Sequence, residues 1–324
     1  MRAPDFWSHR GLASALLLPP AALYAALGRL RWRLATPQDA GVPVVCVGNL
    51  VAGGAGKTPV AIAVARHLMA RRIAVHFLSR GYGGTLSGPV RVAPERHGAA
   101  EVGDEPLLLA AVAPCWIARD RVAGAKEAVA AGADLIVMDD GHQNPGLRKT
   151  ASLVVVDGET GFGNARVLPA GPLREPVAAG LARADAVIVI GTDRAGVAAR
   201  LPAALPVLHG DLVPDDDARG LAGRAVFGFA GIGRPAKFRA TLEGLGCTVA
   251  GWRAFPDHHP YRRSEIAAIL RDAAAAGAIA VTTEKDSVRL PAELRDSVRT
   301  VGVHLVWRDP AQLDDILPVE APDG

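Results

Sequence analysis

The residues best suited to chemistry form a glycine-rich run that ends in Lys57 and Thr58. An apolar segment short enough for a buried strand precedes the run, and a helix-like segment follows it. Glycines let backbone N–H groups close on an anion, and the positive end of the next helix points at the same place. Lys57 is then placed to reach the β- and γ-phosphates of a nucleoside triphosphate, and Thr58 to hold Mg²⁺. The predicted phosphate-binding residues are Gly53, Gly54, Ala55, Gly56, Lys57, Thr58 and Pro59.

The run departs from the usual phosphate-binding pattern at one position. Counting back from Gly56, the leading glycine of G-x-x-x-x-G-K-[ST] falls on Val51. The extra glycines Gly53 and Gly54 supply backbone freedom in its place. An ordinary glycine-rich turn between strand and helix is the alternative, but it does not explain why Lys and Thr follow the last glycine.

Two adjacent carboxylates, Asp139 and Asp140, end the apolar run Leu135–Met138. In enzymes that bind nucleotides through such a loop, an acid at a strand end holds Mg²⁺ directly or through water. The sequence does not decide which of the two acts. An Asx turn or a helix cap at the end of the strand is the structural alternative.

Two further sites have the residue types for acid–base work. Asp104 begins a helix-like segment and can accept the hydroxyl proton of a phosphoryl acceptor, or can simply cap the helix. Asp257, His258 and His259 lie in the second half of the chain. They suggest a metal site or acid–base work, but the absence of a second His or Cys set nearby argues against zinc. A surface loop is the alternative.

Several loops carry residues that suit binding of phosphate or sugar. Arg80 and Tyr82 lie among flexible glycines, and Arg119 follows the next predicted strand. An arginine in such a loop suits a clamp on phosphate or a polar sugar, whereas a solvated loop is the alternative. The long segment 161–176, rich in Gly and Pro, has the character of a functional loop. The segment Thr283–Asp286 either faces the same cleft or forms a salt-bridged turn.

Bulk composition narrows the class of protein. The 324 residues are 50% hydrophobic and 21% charged, which indicates a globular protein of about two domains. The net charge of +3 is too weak to argue for nucleic acid, and we expect no nucleic-acid partner. Cys46, Cys115 and Cys247 are far apart in apolar surroundings, which favours buried thiols in a reducing compartment.

The N-terminal segment Gly11–Leu27 is almost wholly apolar, although Pro19 and Pro20 interrupt it. It is short for a membrane span of about 20 residues, and no signal-peptide cleavage site follows it. Apolar residues beside Trp32 and its neighbouring arginines are typical of a segment lying in the membrane interface. A pair of helices packed on the domain is the alternative.

Strands and helices alternate along most of the chain. This alternation predicts an α/β fold: a P-loop NTPase-like parallel sheet flanked by helices, with a second, smaller α/β domain. Ligands of such sheets gather beyond the carboxyl ends of the strands, where the polar motifs lie. We divide the chain into an N-terminal interfacial segment (1–36), a P-loop domain (37–200), a connection (201–222) and a second domain (223–324) that closes the cleft. The tail Pro318–Gly324 is expected to fray. The predicted strands are Val42–Val47, Ile73–Leu78, Cys115–Ala118, Leu135–Met138, Leu153–Val156, Ala186–Ile190, Val226–Ala230, Thr248–Trp252, Ile279–Thr282 and Val301–Val306.

The motifs taken together, in this order, resemble those of the tetraacyldisaccharide 4′-kinases, the lipid A 4′-kinases of Gram-negative bacteria. The resemblance covers nearly the whole chain. The motifs that carry it are Val47–Leu50 with Gly53–Pro59, Ser79–Gly84, Gly103–Pro106, Asp139–Gly141, Gly161–Asn164, Leu168–Pro176, Asp257–His258 and Thr283–Asp286.

This resemblance implies transfer of the ATP γ-phosphate to the 4′-hydroxyl of a tetraacylated glucosamine disaccharide 1-phosphate. It implies a peripheral protein at the cytoplasmic face of the inner membrane, and we expect a monomer. Asp104 corresponds to the general base, assisted by His258, and Asp139 and Asp140 to the acids of the Mg²⁺ site. Further expected catalytic residues are Lys57, Arg119, Arg174 and Glu175; expected substrate-binding residues are Arg80, Tyr82, Asn49 and Gln143. The family usually has Phe and His where this chain has His142 and Asn144.

Two other classes of protein fit part of the pattern. One is another P-loop protein, such as a metallochaperone-like GTPase or a ParA/MinD-like ATPase switch, which hydrolyses nucleotide without an acceptor. The other is a membrane scaffold that uses nucleotide only for structure. No guanine-specific motif is evident, so the choice of ATP over GTP rests on the resemblance.

Overall fold

The computed structural model describes residues 4–317, so the tail Pro318–Gly324 lies outside the described residues. Its strands are β1 (Val44–Gly48), β2 (Val75–Ser79), β3 (Val90–Arg91), β4 (Cys115–Ile117), β5 (Leu135–Asp139), β6 (Ala151–Asp157), β7 (Ala186–Ile190), β8 (Val207–Pro214), β9 (Ala225–Ala230), β10 (Thr248–Ala254), β11 (Ile279–Thr283), β12 (Arg299–Val301) and β13 (Val303–Trp307). Its α-helices are α1 (Leu12–Leu16), α2 (Leu18–Leu34), α3 (Lys57–Met69), α4 (Ala99–Val102), α5 (Asp104–Ala110), α6 (Arg121–Ala130), α7 (Val177–Leu181), α8 (Pro235–Gly244), α9 (Arg263–Ala275), α10 (Glu284–Ser287) and α11 (Ala292–Arg295).

Nine strands form the larger sheet, in the order β13-β8-β7-β6-β1-β5-β2-β4-β3. Every neighbouring pair is parallel except the two outermost, β13 with β8 and β3 with β4. Side chains of β1 alternate between the two faces: Val45 and Val47 join the core beneath α3, whereas Val44 and Cys46 join the core beneath α6. The predicted parallel sheet covered by helices on both faces is therefore confirmed.

The smaller sheet contains four parallel strands in the order β10-β9-β11-β12. Phe238 and Leu242 of α8 pack on one of its faces, and Ile266 and Ile269 of α9 pack on the other. This is the second, smaller α/β unit that the sequence predicted. Its boundaries within the described residues differ in two places from those expected.

The predicted connection 201–222 contains a strand of the larger sheet, since β8 pairs with β7. Likewise, the predicted strand Val301–Val306 is two strands, and the second of them, β13, returns to the larger sheet. Val303 pairs directly with Pro214, and the backbone N–H of Asp215 donates to the carbonyl of Gly302 at 3.1 Å. The chain therefore leaves and re-enters the larger sheet at adjacent points.

The N-terminal segment forms two helices, α1 and α2, whose apolar side chains are largely exposed. Pro19 and Pro20 lie in the first turn of α2, where a missing backbone donor costs nothing, so they start the helix rather than interrupt it. The buried Ser14 of α1 donates to the carbonyl of Ala170 and accepts from Asn164 at 3.0 Å. Between residues 4 and 317 no helix is both long and apolar enough to cross a membrane.

Candidate active site

The glycine-rich turn leads directly into α3. Gly56 has a φ of 81° and precedes the helix, and a Cβ there would lie 2.6 Å from Ile190 Cδ1, so only glycine fits. Lys57 and Thr58, the first two residues of α3, are buried. The backbone N–H groups of this helix start and the Lys57 ammonium therefore converge where a phosphate would bind.

The departure of the turn from the usual pattern has a structural reason. Val51, which stands at the position of the missing glycine, forms an antiparallel bridge with Leu173. The N–H of Ala52 donates to the carbonyl of Pro172 at 2.7 Å. The start of the turn is therefore held by the 161–176 segment as an extended strand-like pair, a conformation in which valine is favoured.

Asp139 ends β5 beside the start of α3 and is fully buried. Its Oδ2 accepts a hydrogen bond from the Thr58 hydroxyl at 3.3 Å, while its Oδ1 has no partner among residues 4–317. Burial, together with the negative charge of Glu105, raises the pKa of Asp139 to about 7. A buried carboxylate oxygen without a donor is costly unless a cation satisfies it.

Asp140 follows with a φ of 55°, a left-handed conformation that Asp tolerates better than most residues. Its Oδ1 accepts from Arg174 at 2.8 Å and lies 3.8 Å from Lys57 Nζ. Burial alone would raise the pKa of Asp140, but the charges of Lys57 and Arg174 outweigh it and hold the pKa below its usual range. The predicted residues Lys57, Asp140 and Arg174 therefore form one charged cluster.

The donor set fits Mg²⁺ better than a softer metal. Thr58, Asp139 and Asp140 offer oxygen ligands, which hard cations prefer. The described part of the chain holds no group of three or more His, Cys, Asp or Glu residues that would bind a metal unaided. Mg²⁺ typically takes one or two carboxylates and completes its shell with water and substrate phosphates.

Asp104 and His258 meet across the gap between the two sheets. Gly103 has a φ of 88° and places Asp104 at the first position of α5. Asp104 Oδ2 lies 2.9 Å from His258 Nδ1, and Asp104 is only 2% exposed. Burial acts to raise the pKa of Asp104, but the His258 hydrogen bond and the nearby cations Lys285 and Arg289 outweigh it, so its pKa lies below the usual range.

The glycine-rich turn and the Asp104–His258 pair border the same cleft. Glu105, the residue after Asp104, is close enough to Asp139 for its charge to act on that carboxyl. From the other side of the gap, a Cβ on Gly233 would lie 3.7 Å from the backbone nitrogen of Gly54. The loop after β9 therefore lies against the turn after β1.

A hydrogen-bonded chain of predicted residues lies behind the turn. Gln143 Nε2 donates to the carbonyl of Asn49 at 2.9 Å and to Glu175 Oε1 at 3.0 Å. Arg183 Nη2 donates to Glu175 Oε2 at 2.6 Å, and its guanidinium stacks 4.1 Å from the ring of Trp32 on α2. These contacts position Glu175 and Gln143. Asn49, expected to bind substrate, is fully buried.

Other predicted residues are less tightly placed. Arg80 and Arg119 are exposed, and the ring of Tyr82 lies edge-on to His258 with centroids 5.7 Å apart.

His142 is buried between Ser152 (2.8 Å) and the carbonyl of Gly180 (3.0 Å), and burial and the Arg183 charge lower its pKa to about 4. It is therefore a neutral core residue. The side chain of Asn144 accepts from the backbone of Gly146 and Leu147 at 3.0 and 3.3 Å.

Two charged residues of the site were missed by sequence reasoning. Arg121 is buried, its Nε has no partner in the described structure, and burial with the Arg80 charge lowers its pKa to about 10. Its place one residue after the helix cap Asp120 is typical of an exposed arginine, so local sequence gave no signal. Arg289 lies in no motif, yet its Nε is 3.5 Å from Asp104 Oδ2.

A family model, sequence relatives and a solved structure all relate this chain to one protein family. A family model described as tetraacyldisaccharide-1-P 4′-kinase matches residues 13–320. A protein of Rhodospirillum centenum named tetraacyldisaccharide 4′-kinase is 57% identical over 98% of this chain and 96% of its own length. One of Rhodospirillum rubrum with the same name is 54% identical over 98% and 97%. The crystal structure of LpxK from Aquifex aeolicus, described as an "apo" form in complex with ATP, superimposes with a TM-score of 0.76 at 26% identity, covering 94% of this chain and 98% of that one.

A lysine-bearing helix start beside strand-end carboxylates fits a protein that handles nucleotide phosphates. The family model and the names of the relatives define its class as a kinase. The extent of the family match identifies the kind of kinase. The chain belongs to the tetraacyldisaccharide 4′-kinase family.

Proposed function

We propose that this kinase transfers the γ-phosphoryl group of ATP to the 4′-hydroxyl of a tetraacylated glucosamine disaccharide 1-phosphate in lipid A biosynthesis. The observation that carries the proposal is the contact of Asp104 with His258 at 2.9 Å beside the glycine-rich turn. A phosphate cradle and a carboxylate–histidine pair in one cleft suit transfer to a hydroxyl better than simple hydrolysis or a structural role for the nucleotide.

The turn Gly53–Pro59 binds the triphosphate. Backbone N–H groups at the start of α3 face the β- and γ-oxygens, and Lys57 neutralises charge that develops on the transferred group. Arg174 holds Asp140 at 2.8 Å and keeps that carboxylate in place beside Lys57. Positioning and charge neutralisation are the main contributions that a protein makes to phosphoryl transfer.

Thr58, Asp139 and Asp140 are the residues that would hold Mg²⁺, and Asp139 Oδ1 is the oxygen left available for it. When bound, the cation supplies charge neutralisation at the phosphate oxygens.

Asp104 accepts the proton of the acceptor hydroxyl as the oxygen attacks phosphorus. A carboxylate with a lowered pKa is a weak base alone, so the imidazole of His258 assists it. Nδ1 of His258 holds Asp104, and the ring stabilises the charge that develops as the proton is transferred. Such assistance typically contributes about 10²–10⁴-fold to the rate. Because the two residues belong to different sheets, the complete pair requires the two units to lie together.

The acceptor fits a groove between α2 and the edge of the site. This groove, of about 560 Å³, is lined on α2 by Leu27, Leu30 and Leu34, and beyond it by Arg119 and Arg121. Apolar and cationic walls suit an acylated, phosphorylated sugar. Other leucines of the same helices are exposed, including Leu12, Leu16 and Leu23. We therefore assign α1 and α2 to the inner-membrane surface on its cytoplasmic face, where the acyl chains of the acceptor stay in the lipid.

The test is transfer of label from γ-labelled ATP, with Mg²⁺, to the detergent-dispersed acylated disaccharide 1-phosphate. Asp104→Ala should lower transfer at least about 10²-fold while ATP binding persists. Asp216→Ala, an exposed carboxylate of the smaller unit, serves as the matched control and should keep full activity.

Two results would oppose the proposal. Folded wild-type protein that binds ATP and yields no labelled lipid would exclude this acceptor. Equal hydrolysis of ATP by wild type and Asp104→Ala, without any acceptor, would favour a nucleotide switch.

A further inference from the structure

One buried carboxylate of the smaller unit has no part in the mechanism above. Asp286 ends the Thr283–Asp286 motif and is fully buried. Its Oδ1 accepts from the N–H of Gly231 at 2.9 Å and the hydroxyl of Tyr261 at 2.7 Å, and its Oδ2 accepts from Thr283 Oγ1 at 2.6 Å. Gly231 and Tyr261 lie in the segments after β9 and β10, and Thr283 is the last residue of β11, so this carboxylate joins the ends of three neighbouring segments.

Arg289 is the fourth donor to Asp286, through Nη2 at 2.8 Å. The same guanidinium donates to the carbonyl of Gly231 at 3.0 Å, of His259 at 3.2 Å and of Lys285 at 3.1 Å. Its side chain is 6% exposed, and the ring of Tyr261 lies 5.8 Å away. A guanidinium bound on so many sides has one orientation. In that orientation Nε, whose N–H donates to the Lys285 carbonyl, lies 3.5 Å from Asp104 Oδ2 and acts on it through its charge.

Asp104 Oδ2 is the oxygen that Arg289 and His258 share, at 3.5 and 2.9 Å. Asp104 Oδ1 instead accepts the N–H of Glu105 at 3.0 Å. Lys285 is the other cation nearby, but its Nζ lies 3.9 Å from Asp104, pairs with Glu105 at 3.0 Å and is 25% exposed. Arg289 is therefore the buried, rigidly held cation beside the Asp104 carboxylate, whereas Lys285 is a more exposed one.

The loop that carries His258 depends on the same partners. His258 has a φ of 58°, a strained conformation for a residue other than glycine, and its N–H donates to the carbonyl of Gly231 at 3.0 Å. Arg289 binds that same carbonyl at 3.0 Å. Arg289 thus contacts Asp104 and also binds the carbonyl that supports the loop of His258, the partner of Asp104.

We infer that Arg289 is a positioning residue for phosphoryl transfer: it sets the Asp104–His258 pair across the cleft, and Asp286 holds Arg289 in the orientation that does so. The inference rests on the proposed role of Asp104 and His258. It gives the Thr283–Asp286 motif a task in catalysis that is carried out without touching the substrate.

The test compares Arg289→Met, Arg289→Lys and Tyr261→Phe in the labelled-ATP assay with the detergent-dispersed disaccharide. Arg289→Met keeps an apolar stem but removes the charge, and should lower kcat about 10–100-fold, as loss of a group that orients a ligand does. The KM for ATP should stay within about two-fold. Arg289→Lys keeps a charge without the guanidinium fork and should recover part of kcat. Tyr261→Phe removes one bond to Asp286, leaves Arg289 in place and should retain nearly full activity.

The pH profile separates positioning from loss of structure. The charged groups around Asp104 are His258, Lys285, Arg289 and Glu105, with Asp257 on the His258 loop. The charge of Arg289 is one of the causes that hold the pKa of Asp104 below its usual range, so its removal eases protonation of that carboxylate. The acid limb of kcat/KM should therefore move to higher pH in Arg289→Met. Arg289→Lys should move it back.

A folded Arg289→Met protein with the wild-type kcat and acid limb would overturn the inference. So would an equal loss of activity in Tyr261→Phe, because that would indicate general loosening of the loops. If Arg289→Met does not fold, Arg289→Lys decides the question. Full activity of Arg289→Lys would overturn the inference, and a reduced kcat with an unchanged KM for ATP would support it. Loss of activity in Asp104→Ala but not in Arg289→Met would reject this inference and leave the proposed function intact.

Discussion

Two carboxylates, Asp139 at the end of β5 and Asp286 in the short helix α10 that follows β11, are equally buried but differently bonded. Both are completely inaccessible. Asp286 accepts four hydrogen bonds, from a backbone N–H, two hydroxyls and a guanidinium. Asp139 accepts one, from Thr58, and one of its oxygens has no partner in the part of the chain that the structure describes.

The difference separates a carboxylate whose two oxygens are both bonded within the fold from one with an oxygen that the described residues leave without a donor. A buried charge is tolerated when donors surround it, as at Asp286, and is costly when they do not, as at Asp139. The fold therefore gains from Asp286 and loses from Asp139 in the absence of a cation. The neighbouring strand does not distinguish the two, since both carboxylates lie near the carboxyl end of a parallel strand.

The largest expected effect is on catalysis by Asp139→Asn. A bound cation typically stabilises the transition state by several kcal/mol, so removing its charged ligand should lower kcat by about 10³-fold. The same substitution should leave the metal-free fold as stable as wild type or more so, because an amide is cheaper to bury than a carboxylate. Transfer assays and urea titrations in EDTA check the two halves; near-normal transfer would remove Asp139 from the metal site.

The next effect is on stability, through Asp286→Asn. Breaking a buried charge pair typically costs about 3–5 kcal/mol because the partner stays buried, and here Arg289 loses its carboxylate. Urea titration should show a loss of about 3 kcal/mol, with a moderate fall in kcat. Asp272→Asn, which breaks the exposed pair with Arg253, is the control and should cost under about 1 kcal/mol. Equal losses in the two variants would contradict the comparison.

The smallest effect is a pH dependence of stability in metal-free buffer. The pKa of Asp139 is raised from its ordinary 3.8 to about 7 in the fold, so between these values the folded state binds more protons than the unfolded state. The free energy of unfolding should therefore fall as pH rises from about 4 to 7. In Asp139→Asn this component should vanish, which the difference between the two proteins at pH 5 and 7.5 measures. A difference independent of pH would show that Asp139 does not titrate there.

The candidate site could be predicted from sequence where its residues belong to a short local motif. The glycine-rich turn and the strand-end acids follow strands that have a clear sequence pattern, and parallel strands bring their carboxyl ends to one edge. Asp104 was singled out instead by an acidic residue at a helix start. Arg121 and Arg289 were not predictable, because each acts through a long side chain from a position that resembles a solvated helix start or turn. Their burial depends on what packs above them, which no local pattern records.

The fold was predictable in its class and in most of its strands. Errors arose at the edge, where β8 is half-exposed and follows several prolines, so its hydrophobic pattern is weak. The strand β13 was assigned to the wrong sheet because a single residue, Gly302, separates it from β12. Chain proximity predicts sheet membership in most cases, and here the chain changes sheet within one residue.

That change of sheet has a consequence for how the molecule could be divided. Pro214 and Val303 are already paired partners, so excision of everything between them, with closure by a tight turn, would remove none of the nine strands of the larger sheet. The excised piece carries away His258 and Arg289 but not Asp104. This excision, which takes two cuts in the chain, therefore separates the glycine-rich turn and Asp104 from His258 and Arg289.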